Sequence, residues 1–270
     1  MMINKKTLRP YEYADLIRLG NRNGDGGYVV PGKLVDTADV LLSLGLAEEW
    51  TFDMEMQERN PALRIIGVDH SIQPRTFMFG LVRCTIKNWI YTILRNDQKR
   101  RKYTRLREHY GDYFRLFTQP SVHVRKMVAS DDRVGCISFN TLMRMATPSR
   151  DHSVFLKMDI ESSEYEIISQ IVAHERSISV ITAEFHDLVS DSETFNNAIE
   201  ELQQRFDIVH IHSNNYGGYC QINDFPDTVE ITFVNKALMG SDPKKTTCAY
   251  PRPELDITNC SEKVDYELHF

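Results

Sequence analysis

Seven short apolar runs, spaced along most of the 270-residue chain, are the feature that most constrains its fold. Segments with helical spacing follow several of these runs, namely residues 48–59, 137–146 and 192–206. Strands that alternate with helices predict βαβ units and a mainly parallel sheet. The predicted strands are residues 39–45, 64–69, 122–130, 153–159, 178–187, 207–215 and 228–235.

The last two predicted strands are joined differently from the others. Only a glycine-containing loop lies between them, which favours an antiparallel pair. A mainly parallel sheet whose last strand is reversed is typical of the class I methyltransferase (Rossmann-like) fold. We therefore predict an α/β domain over residues 1–235 with a seven-stranded sheet, and a C-terminal tail, residues 236–270, that packs on it.

Composition excludes several classes of protein. The net charge of −6 argues against general nucleic-acid binding. The five cysteines are widely separated and form no CxxC pair, so neither a zinc site nor a disulfide framework is indicated. The sequence has no run of 18 or more apolar residues, and its first residues lack the apolar core of a signal peptide. We expect a cytoplasmic protein, and the oligomeric state stays open.

Residues 75–118 interrupt the alternation of strands and helices. This insertion has 11 Lys or Arg against three Asp or Glu, a net charge of +8, so the rest of the chain carries −14. Its pattern predicts two helices joined near residues 96–99, with an apolar face that includes Phe79, Trp89 and Ile93. Three roles remain open: a lid for an anionic substrate, in which Arg100 and Arg101 would bind phosphate, a solvated surface helix pair, or a peripheral membrane contact.

A candidate cofactor site begins in the segment LSLGLAEEWTFD, residues 42–53. Gly45 ends the first predicted strand, where a glycine lets a ligand approach the backbone, and Ser43 and Glu48 flank it. The segment lacks the G-x-G-x-x-G pattern of dinucleotide sites. Its acids suit a cationic ligand such as S-adenosylmethionine, although an ordinary strand–helix turn explains them equally well.

Three further segments are assigned to the same site. Asp69 follows Gly45 by 24 residues, close to the spacing at which an acid holds a ribose diol, and His70 adjoins it. Asp25 and Gly26 form a turn that could close over the ligand, and Ser130 could contact an adenine edge. Helix capping and turn chemistry are the alternative readings.

Polar side chains follow three predicted strands at their carboxyl ends, which share one edge of a parallel sheet. Because ligands bind at that edge in α/β sheets, we expect these side chains to converge. Carboxylates of this kind suit Mg²⁺ or Mn²⁺, and a histidine there could act as a general base. The alternative is that the acids cap helices and the histidines pack. The residues are Asp159, Glu161, Glu184, His186, Asp187, His212, Asn214 and Asn215.

Several motifs resemble those of FkbM-type S-adenosylmethionine-dependent methyltransferases. LKMDIESSEYEII, residues 156–168, resembles the signature in which a strand ends in Asp-Ile-Glu-Gly-x-Glu, although Ser162 stands in place of the glycine. Supporting segments cover residues 24–31, 43–56, 67–71, 210–218 and 229–233. The resemblance implies that Gly45 and Asp69 belong to the cofactor site, that Asp159 faces the reacting centre, and that the acceptor is a sugar or a sugar-bearing molecule.

These observations predict an S-adenosylmethionine-dependent O-methyltransferase that acts on a sugar, glycan or glycosylated acceptor. Asp159 would orient the acceptor, His186 is the first choice of base and His212 the second. Asp159, Glu184 and Asp187 would hold a divalent metal if one is used. Glu161, Asn214 and Asn215 would contact the substrate, together with two arginines of the insertion. An NAD(P)-dependent oxidoreductase and a non-catalytic membrane-surface binding module are the alternatives.

Overall fold

A computed structural model describes residues 2–147, 153–161 and 163–270. Ser162, the residue that departs from the FkbM-type motif, lies outside these ranges. The strands in chain order are β1 (Leu16–Gly20), β2 (Gly27–Pro31), β3 (Val40–Leu44), β4 (Arg64–Val68), β5 (Val122–Val124), β6 (Met127–Ala129), β7 (Cys136–Ser138), β8 (Val154–Met158), β9 (Ile178–Phe185), β10 (Phe206–Ser213), β11 (Tyr219–Cys220), β12 (Phe225–Pro226) and β13 (Val229–Asn235).

The helices alternate with these strands through most of the chain. They are α1 (Lys5–Leu8), α2 (Gly32–Asp36), α3 (Thr51–Arg59), α4 (Pro74–Ile93), α5 (Asp97–Leu116), α6 (Phe139–Ala146), α7 (Ile168–Ala173) and α8 (Ser192–Leu202), with short 3₁₀ segments at Glu164–Ile167, Glu175–Ser177 and Lys236–Leu238. Within the described ranges, no helix combines the length and the apolar character needed to cross a membrane.

Within the described residues, the central sheet has seven strands in the order β10-β13-β9-β8-β3-β4-β5. Strand β13 runs antiparallel to both of its neighbours, and the other neighbouring pairs are parallel. In this order the reversed strand, β13, lies between the edge strand β10 and strand β9, as in the class I methyltransferase fold. The predicted fold is confirmed, including the antiparallel last strand and the two helices of the insertion.

One predicted strand is wrong in extent. Residues 122–130 form two strands rather than one, because the N–H of Lys126 donates to the carbonyl of Val124 in a tight turn. Strand β5 thus ends early at the edge of the central sheet, and β6 pairs with β7 in a separate two-stranded sheet. The turn directs the second half of the run away from the sheet edge.

Both faces of the central sheet are buried, as expected for continuous apolar strands. Alternate residues of one strand, such as Leu41 and Leu42, belong to opposite cores. Helices α6, α7 and α8 cover one face. Helices α2 and α3, the β1–β2 hairpin and the base of the α4–α5 hairpin cover the other, where the last strands also carry polar residues such as His210 and His212.

The C-terminal tail packs on these last strands through contacts between histidines and aspartates. His210 Nε2 lies 2.8 Å from Asp256 Oδ1, and His212 Nε2 lies 2.9 Å from Asp265 Oδ2. The other ring nitrogen of His212 is 3.4 Å from Glu230 Oε2. Burial acts to lower the pKa of His212, but the hydrogen bonds to Asp265 and Glu230 outweigh it and raise the pKa to about 10. The tail is therefore bound by a buried, protonated histidine.

Replacing Asp265 tests this attachment. An imidazolium whose pKa is near 10 in the folded state and about 6.5 unfolded stabilises the fold fully below pH 6.5 and loses that effect as the pH rises toward 10. We expect Asp265→Asn to lower the free energy of unfolding by about 1–3 kcal/mol at pH 6.5 and to flatten its decline at higher pH, as measured by urea titration.

A matched control is Asp242→Asn, which removes the same charge from an exposed position of the tail. It should leave both the stability and its pH dependence near those of the wild type. Identical pH profiles for Asp265→Asn and the wild type would show that His212 does not hold the tail by charge.

Candidate active site at the carboxyl edge of the sheet

Gly45 joins three strand ends. Its φ is +78°, and a Cβ built on it would lie 1.6 Å from the carbonyl oxygen of Asp159. Its N–H donates to the carbonyl of Val68, while the N–H of Asp159 donates to the carbonyl of Leu44. The space beside Gly45 on this side is filled by the backbone after β8. Gly45 thus permits close packing of β3, β4 and β8, and it also lines the cavity at this edge.

Asp69, at the end of β4, fixes the loop that follows Gly45. Its Oδ2 accepts the N–H groups of Leu46 (3.1 Å) and Ala47 (2.8 Å), and its Oδ1 accepts the N–H and hydroxyl of Ser71 (2.7 and 2.6 Å). Burial acts to raise the pKa of Asp69, but these hydrogen bonds more than offset it, so the pKa lies below its ordinary value. Four donors saturate a carboxylate, so a ribose hydroxyl would have to replace the Ser71 hydroxyl.

A cavity of about 310 Å³ lies at this edge. That volume is at the lower end for small-molecule sites. Segments after β3, β4 and β8 form its wall, together with β6. The lining residues include Gly45, Asp69, His70, Val128, Asp159 and Glu161.

The remaining predicted cofactor residues lie outside this lining. Ser43 is buried within β3, and Glu48 and Ser130 are exposed. The Ser130 carbonyl accepts a hydrogen bond from Gln170. Gly26 packs so closely on Glu49 that an added Cβ would lie 2.6 Å from Glu49 Cγ. These positions shape the surroundings of the cavity rather than its wall.

His186, just after β9, is surrounded by carboxylates. Its Nδ1 lies 2.9 Å from Glu164 Oε1, and its Nε2 lies 3.3 Å from Glu184 Oε1 and 3.9 Å from Glu161 Oε2. Burial acts to lower the pKa of His186, but hydrogen bonds to Glu164 and Glu184 raise it to about 11. A protonated imidazole cannot accept a proton at neutral pH, which argues against the predicted role of His186 as base.

Two carboxylates beside His186, the buried Glu184 and the half-buried Asp159, have raised pKa values. Burial, together with Asp159, Glu230 and Asp25, raises the pKa of Glu184 to about 8 against the opposing hydrogen bond of His186. Burial also raises the pKa of Asp159, although Lys157 and His186 oppose it. A carboxylate with a raised pKa is a better proton acceptor than an ordinary one. Of the two, Asp159 is the one that lines the cavity.

Two buried residues, Tyr28 of β2 and Lys157 of β8, lie close to Asp159. The hydroxyl of Tyr28, a buried residue of β2, lies 3.4 Å from Asp159 Oδ2. Lys157 is almost fully buried in β8, and its ammonium donates to the carbonyl of Gly45 at 2.8 Å. A charged residue within an apolar strand is the sequence signal for this role of Lys157, which was not among the predicted site residues.

A second group of polar side chains extends from Glu184 to the tail. Asn214 donates to Glu184 Oε1 (2.9 Å) and Asp25 Oδ1 (3.3 Å), while Asn259 donates to Asp25 Oδ1 (2.8 Å) and Glu230 Oε1 (2.6 Å). The tail residue Asn259 is 1% exposed and was missed, because no periodicity marks this segment. The two amides hold three carboxylates together without adding positive charge.

The other predicted catalytic and substrate residues are distributed around this group. His212 is buried between Glu230 and Asp265 and is not among the residues that line the cavity, which argues against its predicted role as a base. Asn215 is buried and binds the tail through the hydroxyl of Thr258 and the carbonyl of Cys260. Glu161 lines the cavity with an exposed side chain, and Arg100 and Arg101 lie on the exposed surface of α5.

The predicted metal ligands are brought together in part. Ligand atoms of Asp159, Glu184 and His186 lie within 4.8 Å of one another, as do those of Asp25, Glu184 and Glu230. Asp187 belongs to neither group. It is exposed, has a φ of +61°, and its carbonyl accepts the N–H of Asp191 in the turn before α8. The structure therefore places His186, rather than Asp187, beside Asp159 and Glu184.

No family model matches the sequence, and a comparison with curated proteins finds no match. Among solved structures, the chain is similar to the precorrin-6y C5,15-methyltransferase of Geobacter metallireducens GS-15 at 13% identity and a TM-score of 0.36, over 74% of this chain and 82% of that one. It is also similar to a mutant 16S rRNA (adenine(1408)-N(1))-methyltransferase with cosubstrate SAM from Catenulisporales acidiphilia, at 7% identity and a TM-score of 0.34, over 82% and 98%. Both proteins are described as methyltransferases. The resemblance to the FkbM type stays a prediction.

Gly45→Ala tests the junction of the strand ends. The new methyl group would meet the Asp159 carbonyl, and alanine would have to adopt a left-handed conformation. We expect the free energy of unfolding to fall by at least about 3 kcal/mol, or the yield of folded protein to collapse, as followed by thermal unfolding and soluble expression.

Gly111→Ala is the matched control, because this glycine lies within α5 with open space where a Cβ would stand. It should be neutral or stabilise the protein by up to about 1 kcal/mol. Wild-type stability of Gly45→Ala would refute the proposed packing of β3 against the chain that follows β8.

Proposed function

We propose that the chain transfers a methyl group from S-adenosylmethionine to a hydroxyl of its acceptor. The observation that carries the proposal is a cavity at the carboxyl edge of a class I sheet whose rim is acidic, with Asp69, Asp159 and Glu161 in its lining. Open α/β sheets bind their ligands at this edge. Carboxylates there suit the sulfonium and the ammonium of this cofactor, which are both positive.

The residues of the cavity suggest how the cofactor would be held. The loop after β3 would face the cofactor, with Asp69 keeping that loop in place. Apolar residues of β6, Met127 and Val128, offer a surface for the adenine ring. The Oδ1 of Asp69 would take up a ribose hydroxyl in exchange for the Ser71 hydroxyl.

Asp159 is the residue proposed to act on the acceptor. The acceptor oxygen would attack the methyl carbon in line with the sulfur, so that a carbon–oxygen bond forms as the carbon–sulfur bond breaks. The hydroxyl proton would pass to the Asp159 carboxylate, whose raised pKa favours that transfer. Glu184 and protonated His186 would position Asp159 and stabilise the charge around it. Alignment of the two reacting atoms remains the larger contribution.

A divalent cation is a further part of the proposal. Asp159, Glu184 and His186 supply oxygen and nitrogen donors that suit Mg²⁺ or Mn²⁺, provided that the metal displaces the His186 proton. When bound, such a cation lowers the pKa of a coordinated hydroxyl. Without a cation, the residues of this chain would orient the hydroxyl and receive its proton.

The acceptor class rests on sequence alone. The FkbM-type motif of residues 156–168 supports a sugar hydroxyl, as in a glycan or a glycosylated molecule. The exposed side chain of Glu161 at the cavity rim is the described carboxylate best placed to accept hydrogen bonds from such hydroxyls.

Labelled S-adenosylmethionine and a panel of simple glycosides test the reaction, with mass spectrometry to find the modified atom. We expect an O-methyl product, and Asp159→Asn should lower the rate of transfer at least about 100-fold while the fold is retained. Glu166→Gln, a substitution of an exposed acid in the next helical segment, should transfer at the wild-type rate. Wild-type turnover in Asp159→Asn would refute its role, and a label found on nitrogen or carbon would refute O-methylation.

A further inference from the structure

Helix α4 presents a mainly apolar stripe to the outside, interrupted by the exposed Arg83. Eight large apolar side chains of this helix and the residue after it are between 40% and 75% exposed. At 100° per residue they fall within an arc of about 160°, so they form one face rather than a scatter of single residues. We call this face the α4 stripe. Its members are Met78, Phe79, Val82, Ile86, Trp89, Ile90, Ile93 and Leu94.

The base of the α4–α5 hairpin is fixed to the domain. Trp50, next to the cavity loop, stacks on His109 with ring centroids 4.4 Å apart and packs edge-on against Phe77 and Tyr113. Phe77 and Tyr113 are almost fully buried, in contrast to the α4 stripe beyond them. An anchored base argues against a lid that closes over the cavity, and leaves the stripe facing outward.

The hairpin that carries the α4 stripe is strongly positive. The hairpin carries a net charge of +8, and seven of its basic residues lie exposed on α5. A groove of about 660 Å³ on the same helix is lined by Arg101, Lys102, Arg105 and Leu106, together with Asp97 and Gln98. Guanidinium and ammonium groups beside an apolar side chain suit a phosphate that is attached to a hydrocarbon chain.

We propose that the α4–α5 hairpin binds the surface of a bilayer that contains anionic phospholipid. The α4 stripe would enter the boundary between headgroups and acyl chains, and the basic residues of α5 would pair with lipid phosphates. Charge selects this partner over a second copy of the chain, because a symmetric pairing through the stripe would bring two hairpins of charge +8 together. A membrane instead supplies both the hydrocarbon and the opposite charge.

Flotation of the full chain with vesicles tests the proposal. We expect binding to vesicles of phosphatidylcholine with phosphatidylserine, at least roughly tenfold weaker binding to phosphatidylcholine alone, and a decline at high ionic strength. The triple variant Phe79→Ser, Trp89→Ser, Ile93→Ser should lose at least roughly tenfold in affinity. The triple variant Lys99→Gln, Lys102→Gln, Arg105→Gln should lose the preference for anionic vesicles.

Controls separate this proposal from the proposed methyl transfer. Ile222→Ser removes an equally exposed apolar side chain outside the hairpin and should bind vesicles like the wild type. The stripe variant should retain its affinity for S-adenosylhomocysteine in isothermal titration, because the stripe lies outside the cavity lining. Absence of wild-type binding to anionic vesicles, or unchanged binding by the stripe variant, would overturn the proposal. So would a wild-type dimer in light scattering that the stripe variant converts to a monomer.

Discussion

The close approach of Gly45 to the carbonyl of Asp159 is the constraint on which the candidate site depends. A side chain at position 45 would collide with that carbonyl, so a glycine is needed for the ends of β3 and β8 to meet. Lys157 reinforces the junction by donating to the Gly45 carbonyl from the interior. The junction places the Asp159 carboxylate at the wall of the cavity. The loop after β3, which Asp69 holds by hydrogen bonds, lies beside it. The geometry of the candidate site is thus set by backbone packing before any ligand binds.

Charge gives this edge of the sheet its chemical character. Like-charged groups this close are stable only when protons, amide donors or bound cations separate them. The amides of Asn214 and Asn259 supply donors without charge, and the His186 imidazolium supplies one positive charge. Burial, together with neighbouring carboxylates, raises the pKa values of Glu184 and Asp159. A positively charged methyl donor, or a divalent cation, is the kind of ligand that such a site would stabilise.

The fold and the strand-end residues could be predicted because parallel strands are continuous apolar runs and their carboxyl ends meet at one edge. Asp159, Glu184 and His186 came together for that reason. The protonation of His186 could not be predicted, because it depends on Glu164, which lies in the next helical segment and is fully buried. Asn259 and the tail aspartates were missed because they act across 29 to 234 residues of sequence, and no local pattern encodes such contacts.

The central claim is that the acidic cavity binds a cationic methyl donor, and isothermal titration with S-adenosylmethionine and S-adenosylhomocysteine tests it most directly. The two ligands differ by the methyl group and by the positive charge on sulfur. We predict that the wild type binds both ligands. Asp159→Asn should weaken the binding of S-adenosylmethionine roughly tenfold and the binding of S-adenosylhomocysteine much less. The difference arises because a Coulomb attraction of about 1–2 kcal/mol is lost only with the cationic ligand. Absence of binding to the wild type, or an equal loss for the two ligands, would contradict the account.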